Sequence, residues 1–369
     1  MLSLKLKKII SRFLLKTNLD NNRSIINNIS VYKGDKKTYA YYVEFLSFIG
    51  GTETRLSLFF EKLIENGNRV VVLTSDQTVN KFIVRNCRVY FINIKSNTLV
   101  KDIVNILLSE NASIFEINHT PSFIRDVKNV EFFQNFFKVG IHLHHKASDH
   151  FIDSIRKDAY DYKIINSEKH IKNYGDSSIV IRNSIESFKI KDIYHNGRSK
   201  KRKAILISRL DGDKLISVES AIKYFIKNDL DFEIAGGNVF SKSIKGHLIS
   251  KYKIKPSQFI GAVSTYVFLE SHIDDYLFVA GVGQVVLEAG ALGFPVLCAD
   301  VKNESSFFTK SNYLESLETN LTTINNDLCH IPALKNISGN QNLNICCLIR
   351  DENDLDKNCK KYMRILENN

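Results

Sequence analysis

Hydrophobic and polar positions along this chain switch repeatedly between two patterns. Short, nearly continuous apolar runs are each followed by longer stretches where apolar residues return every three or four positions. From residue 38 the pattern predicts strand then helix, again and again. YAYYVEFLSFIGG (39–51) predicts a strand closing on two glycines. ETRLSLFFEKLIENG (53–67) predicts a helix stopped by Gly67. RVVVLTS (69–75) is apolar on both faces, as expected of a strand buried in a parallel sheet. Further strands are predicted at 88–94, 113–117, 137–143, 162–167 and 178–186, with helices between the earlier ones.

The stretch 187–203, which contains GRSKKRK, is polar and basic and predicts an interdomain linker. The alternation then restarts. Strands are predicted at 204–210, 231–237, 258–263, 276–280 and 295–300, and helices at 218–228, about 244–252 and around Glu288. A charged amphipathic helix follows at 354–366. Two successive βα arrays predict two parallel-sheet α/β domains. Ligands of such sheets bind beyond the carboxyl ends of the strands, here expected in a cleft the two domains face. The boundaries read as an extension and tether at 1–37, a first domain at 38–186, the linker, a second domain at 204–350, and a last helix at 351–369.

Residues 2–16 fit a short basic amphipathic helix, with Leu6, Ile9, Ile10, Phe13 and Leu14 on one face. Such a helix lies on an anionic membrane surface or packs on the body of its own protein. At 369 residues the chain has room for two domains, and 44% apolar with 25% charged residues is a globular composition. No run approaches the length needed to span a bilayer, and no secretory signal pattern is present. The six cysteines, Cys87, Cys298, Cys329, Cys346, Cys347 and Cys359, lack metal-ligand spacing and read as reduced thiols, with Cys298 in the core. That places the protein in the cytoplasm. The net charge of +11 admits nucleic acid, anionic lipid or an acidic substrate as partner. No nucleic-acid-binding signature accompanies the basic clusters, so no nucleic-acid partner is expected.

Four features carry candidate chemistry. Glu288 is the one carboxylate in the apolar helix read within DYLFVAGVGQVVLEAGALGFPVLCA (275–299). A buried carboxylate needs hydrogen bonds. The apolar helix offers no partner of its own, so either a hydroxyl-rich ligand such as a ribose serves it, or it faces solvent or a neighbouring cation. Gly50 and Gly51 join a strand to a helix N-terminus, which suits an anion or a tight turn. Arg209 and Lys214, in the loop SRLDGDK, suit a diphosphate clamp or a solvated pair beside Asp211 and Asp213. Of His119, His142, His144, His145 and His150, those in the strand end IHLHHKAS are placed to enter a cleft. Their spacing does not match a zinc site, and no metal is expected.

The order of these motifs resembles a known family. GG-T-E, the HLHH strand end, NSEKHI, IRNSIE, SRLDGDK, FEIAGG, FIGAV and GQVVLEAGALGFPV follow one another as in GT-B retaining glycosyltransferases, within them glycosyltransferase family 4. The resemblance covers about residues 38–300. It implies the GT-B fold: two Rossmann-like sheets facing a cleft, with a last helix crossing back to the first domain. It implies that Gly50 and Gly51 lie near the donor phosphates and acceptor, and that His144 ends its strand beside the transferred sugar. It implies that Arg209 and Lys214 neutralise the nucleotide diphosphate, that Glu288 holds the ribose, and that backbone amides of the Gly283 loop approach the phosphate. The family's Glu-x7-Glu motif keeps its second glutamate here, whereas the first would fall at Ala280, in a shortened loop.

The implied activity is metal-independent transfer, with retention, of a sugar from a nucleotide-diphosphate sugar to a hydroxyl of a saccharide or lipid-linked saccharide. The basic N-terminus extends this to surface polysaccharide assembly at the inner face of the cytoplasmic membrane. Two rivals stay open. One is a catalytically degenerate GT-B partner protein, motivated by Ala280. The other is a sugar-nucleotide epimerase, for which no acid–base carboxylate pair is evident in the sequence.

Overall fold

In the computed structural model the described residues are 37–44, 46, 51–77, 79, 83–119, 121–143, 155, 159–186, 203–237, 241–299, 305–319, 321 and 339–367. The predicted segment 2–16, most of the 187–203 linker, Gly50 and His144 lie outside them. The chain divides into two compact units, Met1–Arg182 with Cys359–Asn369, and Asn183–Asn358.

In the first unit the elements are β1 (Thr38–Tyr42), α1 (Gly51–Glu65), β2 (Arg69–Thr74), β3 (Arg88–Phe91), α2 (Leu99–Ser109), β4 (Ala112–Asn118), α3 (Val127–Gln134), β5 (Lys138–Leu143), β6 (Tyr162–Ile165), α4 (Ile171–Tyr174) and β7 (Ser178–Val180). Among the described residues the strands form one sheet in the order β3-β2-β1-β4-β5-β6-β7. Every pairing in it is parallel. Alternate residues of each strand point to opposite faces. Ala40, Tyr42, Val71, Leu73, Phe115, Ile117, Val139 and Ile141 pack with Leu99, Ile103 and Leu107 of α2 and with Val130 and Phe133 of α3. Tyr41 packs on the opposite side, its ring 4.8 Å from that of Phe60 in α1.

The second unit begins with β8 (Lys203–Ile207) and continues through α5 (Leu215–Lys227), β9 (Asp231–Ala235), α6 (Lys242–Tyr252), β10 (Phe259–Gly261), α7 (Thr265–Ser271), β11 (Phe278–Gly281), α8 (Gln284–Ala291), β12 (Val296–Cys298), β13 (Ser306–Phe307), α9 (Lys310–Ser316) and α10 (Gly339–Glu352). Its sheet order is β10-β9-β8-β11-β12-β13, parallel except for β13, which runs antiparallel to β12. Leu206, Phe278, Ala280 and Leu297 pack against Val218, Ile222 and Phe225 of α5. Ile205, Val279 and Cys298 share the other core with Val286 and Leu287 of α8 and with Ile345 and Ile349 of α10. Apolar residues cover both faces of each strand, which is why the strands read as nearly unbroken hydrophobic runs.

The last helix, α11 (Leu355–Glu367), starts in the second unit and ends in the first. Leu355, Cys359, Tyr362 and Leu366 are its buried stripe, one residue per turn. Lys138 Nζ donates to the carbonyls of Ile365 at 2.7 Å and Leu366 at 3.3 Å. A lysine there satisfies orphan carbonyls and meets the negative end of the helix dipole.

One glycine in the first sheet is fixed by a close approach. Glu116, Gly140 and Tyr162 stand in one cross-strand row. A Cβ at Gly140 would fall 2.0 Å from the Tyr162 ring. The absent side chain lets that ring lie flat over β5, so its hydroxyl donates to Glu116 Oε2 at 3.3 Å. Gly140→Ala is expected to destabilise the first unit by about 1–3 kcal/mol through overpacking. Chemical denaturation measures this, and an unchanged midpoint would refute the packing account.

Candidate functional site

In the second sheet the chain moves outward from β8 to β9 and β10, then returns to add β11 and β12 on the other side of β8. Strand order therefore reverses between β8 and β11, and loops leaving their carboxyl ends diverge to form a ligand crevice. Leu206 stands opposite Ala280 in that pair. The loop after β8 carries Arg209 and Lys214. The connection after β11 is Val282 and Gly283, leading directly into Gln284 and Glu288 of α8. Arg209 and Lys214 thus follow one strand, and Gly283 and Glu288 follow the strand paired with it.

Arg209 is about half exposed and pairs with Asp211, Nε to Oδ2 at 3.4 Å. Lys214 is the residue before α5 and is partly exposed. Two cations at one strand-to-helix loop suit an anionic ligand, and the exposed Asp211 contact is of the weak, exchangeable kind.

Gly283 has φ 61 and ψ −123, a conformation suited to glycine, immediately before α8. Its N–H donates to the Leu321 carbonyl at 3.0 Å. That amide is engaged within the protein.

Glu288 corrects one expectation. The helix that was expected to give it no partner does supply one. Gln284, one turn earlier, donates from Nε2 to Glu288 Oε1 at 3.0 Å. The Tyr266 backbone N–H and the Thr265 side chain also donate to the carboxylate. Burial raises the Glu288 pKa, and these three hydrogen bonds pull it back. A carboxylate has about four acceptor positions, and these donors occupy three of them. Ala280, at the position of the family's first glutamate, is fully buried inside β11 and packed on the α5 side. A carboxylate there would sit in apolar core.

In the first unit, Gly51 is the first residue of α1. His119, at the carboxyl end of β4, has φ 67, rare for a side-chain-bearing residue. His145 and His150, like His144, lie outside the described residues. His142 does not enter a cleft. It is buried, with Nδ1 3.2 Å from Glu116 Oε1 and Nε2 bonded to the Arg55 guanidinium. A guanidinium only donates, so Nε2 accepts, and Nδ1–H donates to Glu116. Burial, reinforced by the Arg55 charge, pulls the His142 pKa down to about 4. Arg55 is pulled down to about 10 by burial and stays charged at neutral pH.

Glu116 is the hub of this network. Tyr362 of α11 donates to its Oε2 at 2.7 Å, and Tyr362 also meets the Tyr41 hydroxyl at 2.8 Å. Burial drives the hydroxyl pKa values of Tyr41, Tyr162 and Tyr362 well above the usual phenol range. They stay neutral donors. Arg55, Glu116 and Tyr362 are not among the residues the sequence singles out. The available signal was a glutamate inside the apolar strand SIFEIN.

No group of side chains able to hold a metal ion is found among the described residues. The described cysteines are free, with Cys298 buried in β12. No described helix is long and apolar enough to cross a membrane.

No family model matches the sequence, and no curated protein matches it. Solved structures do match. A glycosyltransferase from Rickettsia africae ESF-5 superposes with a TM-score of 0.61 at 15% identity, covering 91% of this chain and 100% of that one. Anabaena HepE, solved in complex with UDP-glucose, gives 0.61 at 13% identity, covering 90% and 100%. The lipopolysaccharide outer core galactosyltransferase WaaB gives 0.51 at 16% identity, covering 70% and 79%.

Proposed function

We propose, from the GT-B fold this chain shares with those structures, that it is a glycosyltransferase using a nucleotide-diphosphate sugar. The observation that carries the reading is that Arg209 and Lys214, and Gly283 and Glu288, follow the two neighbouring strands between which the second sheet reverses its order. Such a crevice is where ligands of open α/β sheets bind. Arg209 and Lys214 bind the diphosphate, Arg209 exchanging its exposed Asp211 contact for phosphate oxygens. Glu288 accepts a hydrogen bond from a ribose hydroxyl. The UDP-glucose bound to HepE supports the donor class.

The sugar passes to a hydroxyl of a saccharide or lipid-linked saccharide, with retention at the anomeric carbon and without a metal. The anomeric carbon–oxygen bond to the diphosphate breaks as the acceptor oxygen bonds to the same face, and the acceptor proton passes to the leaving phosphate. Arg209 and Lys214 stabilise the charge that develops there. Gly50 and Gly51 lie near the donor phosphates and the acceptor in this reading, and His144 lies beside the transferred sugar. WaaB's role in lipopolysaccharide outer core supports surface polysaccharide as the product class. The basic segment 2–16 and the net charge of +11 suit peripheral attachment to anionic lipid.

Ala280 favours a second reading, a donor-binding protein without turnover that serves a glycan-assembly complex. Thermal unfolding of the full chain with UDP, GDP, ADP, CMP and their sugars tests the donor site. A ligand at a hundredfold its Kd adds about 2.7 kcal/mol. One nucleotide class should stabilise the wild type, and the gain should vanish in Glu288→Ala. The absence of any nucleotide shift in folded protein would remove the transferase reading. A shift without transfer to any acceptor would favour the second.

A further inference from the structure

We infer that Gln284 is a positioning residue for ribose binding, fixing the Glu288 carboxylate from one turn away and anchoring it to the main chain at Ser184. The inference rests on the donor reading above and adds a residue to it.

The geometry is that of a two-ended clamp. Gln284 Nε2 donates one hydrogen to Glu288 Oε1 at 3.0 Å and the other to the Ser184 carbonyl at 3.2 Å. Both partners are acceptors only, so the side-chain nitrogen, not the oxygen, must face them. Leucine has no donor, and glutamate would oppose the carboxylate it needs to hold. The Ser184 end is itself immobilised within the second unit. Ser184 Oγ accepts from Asn358 Nδ2 at 2.9 Å, and the Asn183 carbonyl accepts from Asn353 Nδ2 at 2.8 Å. Ile185 donates to the Asn353 carbonyl and accepts from Leu355 N–H, both at 2.9 Å. Asn353 is held in turn by the Tyr313 hydroxyl at 2.7 Å. The carboxylate is therefore referenced to a rigid piece of backbone.

The clamp also carries a cost. Gln284 Oε1 is buried and has no hydrogen-bond partner among the described residues. An unsatisfied buried acceptor is unfavourable, so an apolar residue would suit this position better if packing were its only task. The donor end explains why the amide is tolerated. Gln284 is, moreover, one of three groups that hold down a carboxyl pKa raised by burial. Titratable groups on the elements packed against α8 are Tyr266 and Glu270 of α7, Cys298 of β12, and Cys346, Cys347, Arg350, Asp351 and Glu352 of α10, with Glu186 beside Ser184. The carboxyl shift is set by burial and the neutral donors Gln284, Tyr266 and Thr265. Removing the Gln284 donor should move Glu288 protonation to higher pH.

Calorimetric titration of the full chain tests this, using UDP, GDP and ADP, each against its 2′,3′-dideoxy counterpart, from about pH 5 to about pH 8. Wild type is expected to favour the ribonucleotide it binds. Gln284→Leu keeps two donors on Glu288 and should fold. It is expected to lose about tenfold in affinity for that ribonucleotide while holding its affinity for the dideoxy form. Its acid loss of binding should begin at higher pH than in wild type. Equal weakening toward both forms, or an unchanged pH profile, would reduce Gln284 to a packing residue and overturn the inference while leaving the donor site standing. No ribonucleotide binding by wild type would overturn both.

Discussion

Replacing Arg209 by alanine is expected to lower sugar transfer about 100- to 1,000-fold. The argument starts from position. Arg209 follows β8 at the point where the second sheet reverses its order, on the strand directly paired with β11. Its partner is Asp211 at 3.4 Å, with both side chains substantially exposed. A surface ion pair of this kind contributes little to folding, so the substitution should leave stability within about 0.5 kcal/mol of wild type. The same guanidinium directed at a leaving diphosphate acts where charge develops and water is displaced. There a single donor contributes far more to the transition state than it does at an exposed surface. Lys214→Ala should follow the same pattern with a smaller loss, since an ammonium offers a point charge without the bidentate fork. Steady-state kinetics with the nucleotide sugar found by thermal shift measures both. Normal turnover by Arg209→Ala would place the leaving group elsewhere and sink the donor assignment.

The sequence carried most of this architecture because both sheets are buried on two faces. Strands such as RVVVLT and KAILI are apolar throughout, and the helices between them keep their own period. Neighbouring strand ends then follow from topology. Elements without a pattern were lost. The helix TYVFLES has no apolar stripe, the strand at Ser306–Phe307 spans two residues, and GNQNLNICCLIRDE begins with a polar turn. The Gln284–Glu288 contact is legible in principle, as an i,i+4 pair on a helix, but the surrounding run of Val, Leu, Ala and Gly hides it. The Glu116 network was not legible. Tyr41, Arg55, Glu116, His142, Tyr162 and Tyr362 come from six elements, and no local spacing links them. Arg55 shows why. It occupies a core-facing position of α1 beside Leu56, Phe59 and Phe60, where the period alone calls for an apolar side chain.

Glu116→Ala is expected to destabilise the first unit by about 3–5 kcal/mol. Arg55 and Glu116 are each only 1% exposed and are bridged by His142, which is 4% exposed. Removing the carboxylate strands a buried guanidinium and leaves the Tyr162 and Tyr362 hydroxyls without their acceptor. Tyr362 ties α11 to the first unit through this carboxylate, so the helix should loosen first. Hydrogen exchange at 359–367 together with β4 and β5 reports the unit separately from the rest of the chain, as a two-unit protein requires. Tyr362→Phe removes one donor while leaving the charges matched and should cost only about 1 kcal/mol. Equal effects from the two substitutions would show that the charge arrangement is not what holds the helix. The same network fixes the direction of acid sensitivity. His142 has a folded-state pKa of about 4, below the usual imidazole value of about 6.5. Between those values the unfolded chain binds the extra proton, so the contribution is complete above about pH 6.5 and is lost as pH falls toward 4. The first unit should therefore weaken steadily across that window. In His142→Gln, which keeps polar atoms at the same place and cannot titrate, this part of the slope should disappear; an identical slope in the variant would assign the acid sensitivity to other groups.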